Sequence, residues 1–332
     1  MRRSLTLLLA LLLASCEGSH VQQDAGTSDG GPADVAHDAA VDASPSLDAG
    51  IELGEGTVLA SVDLMPSSFA VDSTHAYVIT VHDVHRISLA DGADVVLMPP
   101  VGNSILSDIV VDETHAYFTD GSDCCGSVAR IPLAGGASET LVDNRKCATS
   151  IALVANDVFW TEACSSSAVR KVPRAGGTVQ EFPTLAVFGL AVSGDEVLAG
   201  NDTLVAIRPS TGAVRTLATK LGYMRDVVVD DAFAYVLSTP VGPSNVAILR
   251  VPLSGGPPVQ LAVGDPDNSA AYYRRIAVHR GFVLWTEADR LRAVPATGGA
   301  IVDVASTTGI ARVLVHEEAV YLLDSKSLRR FP

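Results

Sequence analysis

An all-β ring of four-stranded blades, a seven-bladed β-propeller, is the fold this sequence predicts. Three observations carry that expectation. A short apolar run recurs seven times: Phe69-Ala-Val-Asp72, Ile109-Val-Val-Asp112, Ile151-Ala-Leu-Val154, Leu190-Ala-Val-Ser193, Val227-Val-Val-Asp230, Ile276-Ala-Val-His279 and Val313-Leu-Val-His316. Six residues after the third position of each run stands a large apolar or aromatic side chain: Tyr77, Tyr117, Phe159, Leu198, Tyr235, Leu284 and Tyr321. The third positions are 40, 42, 39, 37, 49 and 37 residues apart. That period suits a blade of four short strands and does not suit a two-helix repeat carrying so many β-branched residues.

Within a repeat, strand a is the Ile-Val-Val-type run and strand b carries the aromatic position after a tight turn. Strand c leads to a proline in Arg130-Ile-Pro-Leu133, Lys171-Val-Pro-Arg174, Ile207-Arg-Pro-Ser210, Arg250-Val-Pro-Leu253 and Ala293-Val-Pro-Ala296. Proline lacks the backbone donor, so it belongs at the outer side of a blade. A glycine turn follows, as Gly135-Gly136, Gly176-Gly177, Gly255-Gly256 and Gly298-Gly299, with Asp91-Gly92 and Thr211-Gly212 in two other repeats. Strand d is the polar outer strand.

The last repeat stops at Leu328-Arg-Arg-Phe-Pro332, where strand c ends, and Gly56-Thr-Val-Leu-Ala60 reads as a strand d with no blade before it. Pairing the two would close the ring and remove its open edges, so the last blade is expected to be closed by the N-terminal strand.

The residues before the ring read as an address. Met1-Arg2-Arg3 is a basic start and Leu5 to Leu13 a leucine-rich stretch, too short for a stable membrane span but right for a signal peptide. Residues 16–50 follow as an acidic tether. Residues 17–50 hold seven acids, no Lys or Arg and almost no large apolar side chain, so the segment cannot bury enough surface to offset its ordering entropy. The division is therefore a signal peptide over 1–15, Cys16 with an acidic tether over 16–50, and the propeller over 51–332.

The 332-residue chain carries a formal net charge of −15. Residues 51–332 account for 31 acids and 21 bases, a net −10. Phosphate binding needs a basic surface, so nucleic acid is not an expected partner.

Two resemblances sharpen the picture. Leu13-Ala-Ser-Cys16 resembles the bacterial lipobox, which implies cleavage before Cys16 and lipidation of its thiol. Tyr117-Phe-Thr-Asp120, Phe159-Trp-Thr-Glu162 and Leu284-Trp-Thr-Glu287 resemble the Tyr-Trp-Thr-Asp repeat of low-density-lipoprotein-receptor-type propellers. The whole unit, residues 56–332, is similar to the YWTD-like repeats of bacterial, myxobacterial-type lipoproteins. Blade four departs furthest, with Leu198-Ala-Gly-Asn201, and is expected to be the least regular. The resemblances imply a lipid anchor in the bacterial envelope, at the outer membrane or cell surface.

The sequence shows no Gly-x-Ser-x-Gly, His-Glu-x-x-His or phosphate-loop motif, and no catalytic set, cofactor or metal is assigned. His75 and His115 share a place in the a–b turn, where a local structural role is expected. Asp120, Glu162, Glu287 and Asp324 share the end of strand b, where capping hydrogen bonds between blades are expected. Cys124 and Cys125 fall in the b–c loop of blade two, Cys147 in the connection into blade three and Cys164 in the b–c loop of blade three. These four are expected to form two disulfides joining the loops of blades two and three, with one of the adjacent pair reaching Cys147. The oxidising compartment and the adjacent pair argue against a four-thiolate metal site.

In an antiparallel blade the b–c loops and d–a connections share one face, so the two residues before each strand a should ring the channel mouth. Four arginines, Arg225, Arg274, Arg275 and Arg312, fall there in blades five to seven. They form a candidate anion-binding sector for an acidic peptide or glycan. The alternative is that they pair with neighbouring acids such as Asp226, Glu287 or Asp324 and staple loops. The expected role is thus a binding or scaffolding module for an envelope protein, peptide or glycan. A lactonase- or lyase-like enzyme at the channel mouth is the lesser reading.

The anchor has a direct test. Cys16→Ser should release the protein from membranes into the soluble fraction, because the tether offers no other apolar attachment. Membrane retention of the variant on fractionation would rule the lipid site out.

Overall fold

The computed structural model describes residues 51–332 apart from 52, 63, 101, 123–125, 165–166, 183, 185–187, 240–245, 265–274, 288 and 310–311. The tether, Cys16, Cys124, Cys125 and Arg274 lie outside the described residues.

Strand β1 (Thr57–Ser61) opens the domain. Blade one is β2 (Ser68–Val71), β3 (His75–Ile79), β4 (Val84–Ser88) and β5 (Asp94–Met98). Blade two is β6 (Leu106–Val111), β7 (His115–Asp120), β8 (Gly126–Pro132) and β9 (Glu139–Arg145). Blade three is β10 (Ala148–Val154), β11 (Asp157–Glu162), β12 (Ala168–Pro173) and β13 (Gln180–Phe182). Blade four is β14 (Leu190–Ser193), β15 (Glu196–Gly200), β16 (Leu204–Arg208) and β17 (Ala213–Ala218). Blade five is β18 (Tyr223–Val229), β19 (Phe233–Thr239), β20 (Ala247–Pro252) and β21 (Val259–Val263). Blade six is β22 (Ile276–His279), β23 (Phe282–Glu287), β24 (Arg290–Pro295) and β25 (Val302–Ser306). Blade seven is β26 (Arg312–His316), β27 (Ala319–Leu323) and β28 (Ser327–Phe331), completed by β1 on its outer edge. The predicted seven-bladed propeller and its closure by the N-terminal strand are both present.

The repeated aromatic position has a physical explanation. Side chains alternate along strand b, so one set points to the next blade and the other to the previous one. Tyr77 packs between blades one and two, Phe159 between three and four, and Leu284 between six and seven. Their neighbours Trp160 and Trp285 face the other way, into the interfaces with blades two and five. The described core thereby separates into seven apolar clusters, one at each junction between adjacent blades.

Blade four is a full four-stranded sheet despite its divergent sequence. Leu198 is completely buried in the place of the aromatic, because the junction needs apolar volume there rather than a ring. Gly200 replaces the motif threonine because the b–c turn is tight. A Cβ at 200 would strike the Thr203 carbonyl oxygen. The c–d glycine pairs behave as read: Gly135 and Gly136 take φ of 89° and 133°, a backbone that L side chains rarely adopt.

Closure is antiparallel, with Thr57 opposite Arg330, Val58 opposite Arg329, Ala60 opposite Leu328 and Ser61 opposite Ser327. The Phe331 ring sits where a Cβ on Gly56 would lie, 2.5 Å away, which explains a glycine at the entrance to the closing strand. Phe331→Ala would remove a buried ring at this seam and is expected to cost about 3–5 kcal/mol. A lowered thermal unfolding midpoint checks it; an unchanged midpoint would mean that the seam does not limit stability.

Candidate functional site

The residue immediately before the repeated apolar run of each inner strand is Ser68, Asp108, Ser150, Gly189, Asp226, Arg275 or Arg312 in blades one to seven. The motif threonines hold several of these residues in place. Thr119 Oγ1 accepts from the Asp108 N–H at 3.1 Å and Thr161 Oγ1 from the Ser150 N–H at 3.1 Å. Five of these residues then reach the next blade. Ser68 Oγ donates to Asp108 at 2.6 Å, and Asp108 Oδ2 accepts the Ile151 N–H at 3.2 Å. Ser150 Oγ accepts the Gly189 N–H at 2.9 Å, and Asp226 Oδ2 the Ile276 N–H at 3.1 Å. Arg312 Nε donates to the Ser67 carbonyl at 2.8 Å, tying blade seven to blade one.

Arg275 crosses the channel. Its guanidinium lies 3.2 Å from Asp108 Oδ1, in blade two, and 3.6 Å from Asp226 Oδ1, in blade five. Its side chain is only 23% exposed. Burial alone would favour losing its proton, but Asp108 and Asp226 outweigh burial and hold the charge. For Asp226 the balance is reversed: burial raises its carboxyl above the usual range despite the opposing effects of Arg275 and the Ile276 N–H. Immediately inside this layer the inner strands of blades four to seven line a cavity of about 350 Å³, its wall made by residues such as Leu190, Val228, Ile276 and Leu314.

The candidate arginines differ in their surroundings. Arg275 and Arg312 do reach the mouth, but Arg275 is matched by the chain's own carboxylates and Arg312 by a carbonyl. Arg225 donates to Thr239 Oγ1 at 3.3 Å, with its guanidinium 5.7 Å from the Phe188 ring. Arg274 lies outside the described residues. The stapling alternative, with Asp226 as partner, describes Arg275; the pairing to Asp108 was not foreseen.

The cysteines also differ from expectation. Cys147 bonds Cys164, so the bridge lies within blade three, between the connection entering it and its own b–c loop. Both loops leave the same end of β10 and β11, which brings their Cα atoms to 5.6 Å, within bridging range. Cys147 is thus not available to Cys124 or Cys125.

The strand-b acids mainly cap their own blades, and Glu162 also lies 3.8 Å from Arg145 of blade two. Asp120 Oδ1 accepts the N–H groups of Ile105 and Ser122, and Asp324 those of Thr308, Lys326 and Ser327. Glu162 and Glu287 accept the indole N–H of Trp160 and Trp285, two residues back on the same strand face, and pair with Arg170 and Arg292. His75 and His115 each meet the hydroxyl of the preceding threonine at 2.8 Å, a local turn contact.

One repeated feature was not recognised in the sequence. Asp72, Asp112 and Asp230 each accept the turn N–H groups on one oxygen and a tyrosine hydroxyl on the other, at 2.8, 2.9 and 2.6 Å. Burial pushes Asp112 upward, but the N–H groups of Thr114 and His115 and the Tyr117 hydroxyl prevail and hold it at about 2. The Asp-to-Tyr spacing of five was the available signal.

No family model and no curated protein matches the sequence. Among solved structures the chain is similar to the WD40 β-propeller domain of Doa1, with 13% identity and a TM-score of 0.64 over 83% of this chain and 96% of that one. It is also similar to a chain of the nidogen/laminin complex, with 15% identity and a TM-score of 0.53 over 71% of this chain and 93% of that one. A third likeness is to the computationally designed Ika8 protein, with 12% identity and a TM-score of 0.54 over 83% and 99%. These likenesses define the chain as a β-propeller.

The staple at the mouth makes a pH-dependent prediction. Arg275→Ala would leave Asp108 and Asp226 close together without their cation, at an expected cost of about 3 kcal/mol at pH 7. A carboxyl whose pKa is higher folded than unfolded costs stability at neutral pH, and that cost is relieved as pH falls through the folded value. The gap in denaturation midpoint between variant and wild type should therefore narrow from pH 7 towards pH 4. A gap independent of pH would show that the carboxylates do not depend on Arg275.

Proposed function

We propose that this chain is a lipid-anchored propeller of the bacterial envelope, acting as a binding or scaffolding module for a protein or peptide partner. The fold is typical of such modules. The observation that carries the reading is an apolar sector on the loop face of blades one and two. Met65, Val81 and Ile105 are 69%, 37% and 49% exposed there. They sit in three successive loops held by main-chain hydrogen bonds, Ser67 N–H to Ile79 O and Leu106 N–H to Val81 O, each at 2.8 Å. Side chains held out in this way cannot collapse onto the core, and a grouped apolar surface marks an interaction site.

The enzyme reading would draw on the buried carboxyl of Asp226. Its oxygens already receive the N–H groups of Val227 and Ile276 and face Arg275, which supports a structural role.

Cross-linking in intact cells should capture the same envelope protein repeatedly with wild type, and lose it with Met65→Asp/Ile105→Asp while the thermal midpoint is kept. Equal capture by the double variant would overturn the assignment of this sector.

A further inference from the structure

The face opposite the loop sector carries the a–b and c–d turns, and there the same contacts recur at three junctions. An arginine of one blade donates to the carbonyl just after the proline position of the next: Arg86 to Leu133, Arg130 to Arg174 and Arg250 to Ala296, at 2.5, 2.7 and 2.7 Å. Beside each lies one Asp–Tyr pair: Asp72 with Tyr77, Asp112 with Tyr117 and Asp230 with Tyr235. The residue that the next blade presents at this register differs. At the junction of blades one and two it is Leu133, which packs on the apolar cluster. At the junction of two and three it is Arg174, whose Nη1 donates to Asp112 Oδ2 at 2.9 Å with the guanidinium 6.0 Å from the Tyr117 ring. At the junction of five and six it is Ala296.

That alanine leaves a crevice of about 320 Å³, lined by Asp230, Phe233, Tyr235, Arg250, Ala296 and Thr297. Asp230 Oδ2 accepts the Tyr235 hydroxyl, whereas Asp112 Oδ2 accepts both the Tyr117 hydroxyl and Arg174. We propose that the crevice at Asp230 receives an arginine side chain from a partner protein, which takes the place that Arg174 fills within the chain at the junction of blades two and three. Burial would favour the neutral acid, but the Tyr235 hydroxyl, the turn N–H groups and the charge of Arg250 together keep Asp230 ionised. A charge-assisted pair with a carboxylate suits a guanidinium, which offers several donors in one plane.

Arg250 does not bar the cation, because Arg130 stands at the same register where Arg174 is bound. Arg130 is matched by Glu139 on strand d, at 2.7 Å, whereas the residue opposite Arg250 is Val259. A partner carrying an acid beside its arginine would supply both missing groups.

The site lies at the other end of the blades from the apolar sector and does not depend on it. The probe is L-arginine amide, titrated into the propeller and soaked into its crystals. Wild type should bind one equivalent, with the guanidinium at Asp230 in the crystal. Ala296→Arg fills the crevice from within the chain and should weaken binding at least about tenfold. Arg174→Ala vacates the equivalent place at Asp112 and should raise the stoichiometry from one to two. Absence of the guanidinium from Asp230 in the soaked wild type, or undiminished binding by a folded Ala296→Arg, would overturn the proposal. So would a single equivalent in a folded Arg174→Ala.

Discussion

Everything in this domain depends on apolar packing between neighbouring blades. A four-stranded blade has two faces and no core of its own, so each face must be covered by another blade. Alternation along strand b sends Tyr117 to one neighbour and Phe118 to the other. The last blade needs a partner as much as the first, and only closure gives it one. The β1–β28 pairing completes blade seven, whose faces then pack on blades six and one. The sequence spacing, the buried aromatic position and the divided last blade all follow from this single requirement.

Polar residues follow the same logic at the two ends of the ring. Where strands end, backbone groups lose their ladder partners, and buried ones must be satisfied by other means. The strand-b acids and the Asp–Tyr pairs meet that need mainly from within a blade, and Thr119 meets it on both sides, accepting the Asp108 N–H of its own blade and donating to the Thr149 carbonyl of blade three. The strand-c arginines and the channel-mouth ring meet it between blades. In blade four the strand-c position is Ala206, and Arg215, directly opposite on strand d, makes the equivalent bond to the Leu253 carbonyl at 2.8 Å. The geometry fixes where a donor must arrive and leaves open which strand supplies it.

Legibility in the sequence divides along these lines. The blades and their closure were readable because they rest on local patterns, a period of two within strands and of about forty between them. The aromatic position was readable even in blade four, since Leu198 supplies the same buried volume. The cross-channel group was not. Asp108 and Arg275 are 167 residues apart, and nothing local pairs them. What could be read was that both occupy one register of the repeat, hence one layer of the ring, and that opposite charges in one layer of a narrow channel will meet. The cysteine pairing failed for a related reason. Face assignment brings four thiols to one sector, and only the exit directions of β10 and β11 select Cys164 for Cys147.

Repetition turns absence into information. In a fold without internal copies, a small residue beside a carboxylate is one surface detail among many. Here each junction is compared with others built to the same plan. Thr119 and Thr161 are structural because they perform one task in two blades, and His75 and His115 likewise. A group with a structural duty is expected at each comparable junction, or replaced by something that performs the duty, as Arg215 does. Ala296 stands where neither condition holds. The arginine staple is kept, the Asp–Tyr pair is kept, and the side chain that fills the space at the other two junctions is gone. Stability alone would favour filling the space, because an unfilled crevice forgoes contacts that Leu133 and Arg174 supply elsewhere. A position that keeps the carboxylate and lacks the second arginine found at Asp112 is where selection for binding, rather than for the ring, best accounts for the residue present.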